Sequence, residues 1–82
     1  MLEAFAELLQ ESAPEWCSVT IHNGYLYISM RGLAMPPIDT IMLNDDGSLL
    51  SLYYRQIWHL ADPSAIDQIL TNVAEVRERW LS

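Results

Sequence analysis

The stretch Cys17-Ser18-Val19-Thr20-Ile21-His22-Asn23-Gly24-Tyr25-Leu26-Tyr27-Ile28-Ser29-Met30 decides the fold. Apolar and polar residues alternate on both sides of Asn23-Gly24, which is the period of a strand with one buried face. Asn and Gly both tolerate the positive φ angles of a two-residue type I′ turn, whose twist matches that of a hairpin. The turn therefore sets a register. Ile21 faces Leu26, Val19 faces Ile28 and Cys17 faces Met30 on an apolar side. His22 with Tyr25, Thr20 with Tyr27, Ser18 with Ser29 and Trp16 with Arg31 make up the other side.

The same reasoning applied to Asp46-Gly47 predicts a second hairpin over residues 38–55. Read as a two-residue turn, it pairs Leu43 with Leu50 and Ile41 with Leu52 on the apolar side. Met42 with Ser51, Thr40 with Tyr53 and Ile38 with Arg55 then join the first hairpin's aromatic and hydroxyl side, with Leu49. Asp39 falls on the inner face opposite Tyr54, as a rim charge, an acceptor for the tyrosine hydroxyl or a guard of the sheet edge. Pro36-Pro37 is read as a stiff connector between the hairpins, since proline cannot donate to a ladder.

Outside the hairpins the period changes. Leu2, Phe5, Ala6 and Leu9 recur at helical spacing over residues 2–12, and Ala13-Pro14 ends that helix. Asp62-Pro63 opens a second helix, with Asp as the cap and Pro at the first helical position. Ile66, Ile69, Leu70, Val73, Val76 and Trp80 form its inner stripe. Residues 56–61 either extend the fourth strand or turn so that Trp58 tucks under the helix. The expected architecture is a single α+β domain over residues 1–82: a two-layer sandwich of a four-stranded, mainly antiparallel sheet with both helices on one face.

Composition narrows the function. In 82 residues there are four arginines, no lysine and 11 acidic residues, giving a net charge of −7. Phosphate backbones and anionic lipid repel such a chain, so direct nucleic-acid or membrane binding is not expected. One cysteine excludes an internal disulfide and a zinc constellation. No secretory leader or spanning segment is visible, and a soluble cytoplasmic setting is the expectation. Cys17 and His22 point to opposite faces of one strand, and no phosphate loop, nucleophile elbow or helical His pair is present, so neither an enzyme nor a cofactor is expected.

Two surfaces remain as candidates for binding another protein. The first is the open sheet face with Trp16, His22, Tyr25, Tyr27, Arg31, Tyr53 and Arg55, rich in the residue types that interfaces favour. The second is the stripe Glu3, Glu7, Glu11 and Glu15. Like charges four apart oppose helix formation by roughly 0.2–0.5 kcal/mol per pair, and here no lysine or arginine is interleaved. The resulting expectation is a stoichiometric adaptor, chaperone-like factor or inhibitor. A basic surface on the partner suits the acidic stripe, which could block the nucleic-acid groove of a host defence enzyme as small acidic phage inhibitors do. A small module holding an anionic ligand through Tyr25, Tyr27, Tyr53, Arg31 and Arg55 is the third reading. A homodimer through the open face competes with the first.

Overall fold

The computed structural model describes residues 1–32 and 37–81. Helix α1 spans Leu2–Ser12 and is followed by strands β1 (Cys17–His22), β2 (Tyr25–Met30), β3 (Asp39–Leu43), β4 (Ser48–Ser51) and β5 (Ile57–His59), then by helix α2 (Ala65–Leu81). The strands form one antiparallel meander in the order β1-β2-β3-β4-β5. The α+β class stands, with five strands in place of four. Residues 33–36, including Pro36 of the expected stiff connector, lie outside the described residues.

The first hairpin has the register its turn dictates, from His22 opposite Tyr25 to Cys17 opposite Met30. Asn23 and Gly24 carry φ of 52° and 80°, as a type I′ turn requires.

The second hairpin is one residue out of the expected register. Ile41 faces Ser51, Met42 faces Leu50 and Leu43 faces Leu49. The loop holds three residues, Asp45-Asp46-Gly47: the Gly47 amide bonds the Asn44 carbonyl at 3.0 Å, and Gly47 takes the positive φ of 85°. That is a type I turn followed by a left-handed glycine bulge. Local side chains favour it. Asp46 Oδ1 accepts bonds from the Ser48 amide at 3.0 Å and the Ser48 hydroxyl at 2.6 Å, and Asn44 Nδ2 donates to that hydroxyl at 3.0 Å. Because strand side chains alternate, the one-residue slip inverts β4. Leu49 and Ser51 point into the core, while Leu50 turns to the open face.

A fifth strand follows because residues 52–55 form a tight loop in place of more strand. The Ser51 amide bonds the Gln56 carbonyl at 2.9 Å across the loop, and Arg55, at φ 57°, donates its amide to the Ser51 carbonyl at 2.8 Å. Trp58 then points inward under α2, where its indole N–H donates to Gln68 Oε1 at 2.7 Å.

Both helices cover one face. Leu2, Phe5 and Leu9 of α1 and Ala65, Ile69, Val73 and Val76 of α2 share a core with Cys17, Leu26, Ile28, Met30, Ile38, Ile41, Leu49 and Trp58. Asp62 Oδ1 accepts bonds from the Ser64 amide at 2.9 Å and hydroxyl at 2.8 Å, which is the cap expected ahead of Pro63. Tyr54 ties the β4–β5 loop to α2, its hydroxyl donating to the Asn72 carbonyl at 2.7 Å, and burial pushes its phenol pKa up.

Candidate functional site

The ladder registers join into a row that crosses the whole open face: His22, Tyr25, Met42, Leu50 and Ile57, one residue from each strand. A second row, Thr20, Tyr27 and Thr40, lies beside it and continues to Leu52, whose amide donates to the Thr40 carbonyl at 2.9 Å. Ile57 is 66% exposed and Leu52 46%, and the Tyr25 and Tyr27 rings lie 6.4 Å apart at 47°. Five strands at about 4.8 Å spacing and about five residues of length give a footprint on the order of 400 Å². Thr20, Thr40 and His22 share that footprint with the apolar side chains, so the face is a mixed surface on the scale of a few hundred Å² at which exposed patches are often functional.

Charge is excluded from this face. Asp39 is buried, Asp45 and Asp46 sit in the β3–β4 turn, and the other acids lie on α1, α2 or the segments flanking them. In a chain of net charge −7, the strand residues of one face carry no carboxylate.

The expected site residues divide. His22, Tyr25 and Tyr27 stand together on the open face. Tyr53 and Arg55 do not, because the shortened β4 places both in the β4–β5 loop; the Tyr53 ring packs edge-on against Tyr54 at 5.0 Å. Trp16 also leaves the face. The Arg31 amide does donate to the Trp16 carbonyl at 2.7 Å, as the register demands, but the Trp16 ring packs half-buried against the core with the Arg77 guanidinium 4.6 Å from its centroid. That cation–π contact with α2 outweighs the alternation at the strand's end. The Arg31 side chain donates to the carbonyls of Glu15 at 2.9 Å and Cys17 at 3.2 Å. Leu50, Leu52 and Ile57 were absent from the expected site; the Ile57-Trp58-His59 alternation is the signal for the last, while Leu50 and Leu52 depend on the turn type.

Glu3, Glu7 and Glu11 are all exposed on α1. Glu3 has its pKa lowered, first by its own backbone N–H and then by the Met1 amino group at 3.4 Å. Among the described residues neither Glu7 nor Glu11 has an ion-pair partner.

Among the described residues, no group of three or more His, Cys, Asp or Glu is placed to hold a metal ion, and no helix is long and apolar enough to cross a membrane. Cys17 is fully buried, and burial pushes its thiol pKa up. No known protein family, curated protein or solved structure matches the chain.

Proposed function

We propose that this chain is a stoichiometric protein-binding module that docks another protein on its open sheet face, acting as an adaptor, chaperone-like factor or inhibitor. The carboxylate-free row His22–Tyr25–Met42–Leu50–Ile57 in a chain of net charge −7 supports this reading most directly. Charge depletion with aromatic and Met enrichment marks the centre of protein interfaces, and five strands give a firm platform for it. The footprint is below the roughly 800 Å² per partner of a standard interface, so the contact suits a transient partner or one that also reaches the rim.

The test is capture of partners from the protein's own host by wild type and by the double variant Tyr25→Ser/Ile57→Ser, with solution mass measured on both. Tyr25 is 36% and Ile57 66% exposed, and an unchanged melting curve confirms that the variant is folded. A partner held one-to-one by wild type and lost by the variant supports the reading. A partner held equally by both, or a wild-type homodimer that the variant splits, removes it.

Glu7 and Glu11, exposed and without an ion-pair partner among the described residues, favour a second reading, in which α1 occupies a basic groove on a nucleic-acid-binding enzyme. Affinity for such a partner falls steeply with added salt, whereas docking on the uncharged face does not.

A further inference from the structure

Strand β1 is an edge of the sheet, and its outward backbone groups are only half satisfied. The hairpin register, with the Arg31 amide bonded to the Trp16 carbonyl, directs the amides and carbonyls of residues 18, 20 and 22 toward β2 and those of 17, 19 and 21 away from it. Gln10 of α1 covers the first part of this edge as a neighbouring strand would. Its Nε2 donates to the Cys17 carbonyl at 3.1 Å, and its Oε1 accepts the Val19 amide at 2.8 Å. The cover stops there. Among the described residues, nothing bonds the Val19 carbonyl or the Ile21 amide and carbonyl.

Beside these open groups runs a groove of about 310 Å³ lined by Glu3, Ala6, Glu7, Gln10, Val19 and Ile21. Its floor is apolar: Ile21 is 36% exposed although it lies on the inner face of the sheet. Its wall is acidic: among the described residues Glu7 has no ion-pair partner, and Glu3 is shared with the Met1 amine.

We propose that this edge is a strand-addition site for an extended protein segment carrying Lys or Arg at alternate positions. Main-chain bonds to Val19 and Ile21 supply the docking, as in other cases where a peptide extends a sheet. A basic side chain on the groove side lays its methylene stem over Ile21 and Ala6 and brings its charge to Glu7. The charges select this occupant over a second copy, because pairing β1 with β1 brings Glu3 and Glu7 of two net-negative chains together. The site is separate from the open face and does not depend on the reading given above.

The probe is a capped seven-residue peptide of alternating threonine and lysine, with a threonine–glutamate counterpart, followed by amide NMR and hydrogen exchange on wild type and Glu7→Lys. The lysine peptide is expected to shift residues of β1 and α1, to slow exchange of the Ile21 amide at least fivefold at saturation, and to bind Glu7→Lys at least fivefold more weakly. Glu7 is exposed, and an unchanged melting curve confirms that the variant is folded. Equal binding of the glutamate peptide, unchanged exchange at Ile21, or shifts centred on Tyr25, Met42 and Leu50 each overturn the proposal.

Discussion

The Ser51 hydroxyl donates a 2.6 Å hydrogen bond to Asp39 Oδ2, and both residues are buried. Asp39 Oδ1 accepts two more bonds, from the amides of Thr40 at 2.8 Å and Tyr53 at 3.1 Å, and the Ser51 oxygen in turn accepts the Tyr54 amide at 3.1 Å. One carboxylate therefore joins the start of β3 to the loop that turns β4 into β5. Its burial is tolerable because both of its oxygens have donors.

Removing the hydroxyl leaves a buried charge with one donor fewer. Ser51→Ala is expected to lower stability by about 1.5–3 kcal/mol, the range for a hydrogen bond to a charged group. Asp39→Ala strands three donors at once and is expected to cost more than Ser51→Ala. Urea unfolding of both variants measures the order, and equal losses would show that the clamp is not centred on the carboxylate.

Arg55 occupies the left-handed region, at φ 57°. A side chain there crowds the backbone, a strain of about 1–2 kcal/mol, while glycine gives back about 0.5–1 kcal/mol in unfolded-chain entropy. Arg55→Gly is therefore expected to raise stability by about 0.5–1 kcal/mol, or several degrees in Tm for a domain of this size. A fall in thermal melting temperature would mean that the Arg55 side chain holds the loop.

What the sequence makes legible follows turn chemistry. Asn23-Gly24 calls for a turn with two positive φ angles, so the register of the first hairpin from Cys17 to Met30 and the placement of His22, Tyr25 and Tyr27 are readable from residue types, whereas the inward turn of Trp16 toward Arg77 is not. Asp46-Gly47 admits two solutions. The bonds from Ser48 to Asp46 select the three-residue loop, and that choice exchanges Leu49 and Ser51 for Leu50 on the open face. The loop 52–55 is not legible at all: Leu-Tyr-Tyr-Arg has no turn former, and its geometry comes from Asp39, distant in sequence. Hence Tyr53 and Arg55 were expected on a strand. Helix α1 was readable from its period and its Ala13-Pro14 stop, and α2 from its period and the Asp62 cap, although Trp80 at the end of the expected inner stripe is exposed.

Gln10 lies on the helix but bonds the strand, through Cys17 and Val19. Replacing it by alanine uncovers the Val19 amide at the sheet edge, which water only partly satisfies in a half-buried site, and leaves the Cys17 carbonyl to the Arg31 guanidinium alone. Gln10→Ala is expected to cost about 1–2 kcal/mol. Hydrogen exchange at the Val19 amide is the direct readout; unchanged protection there would show that the side-chain bond contributes nothing.

Acid sensitivity is built into two aspartates that do the same job at different turns. Hydrogen bonds donated by the Ser48 hydroxyl and, less strongly, its amide to Asp46, and by the Ser64 amide and, less strongly, its hydroxyl to Asp62, hold both carboxyl pKa values below the usual aspartate value of 3.8. A depressed folded value means that the folded state binds its proton less readily than the unfolded chain does. The stabilisation is complete above 3.8, begins to fade as pH falls past it, and is gone once pH passes below the folded values. Wild-type Tm is therefore expected to hold steady from pH 6 to about 5 as far as these two groups act, then to fall toward pH 2. Asp46→Asn and Asp62→Asn each remove one titrating acceptor. Each variant should show a lower Tm than wild type at pH 6 and a shallower acid limb, so that the gap between the curves narrows as pH falls below 3.8. Parallel curves for wild type and both variants would mean that the acid response comes from other carboxylates.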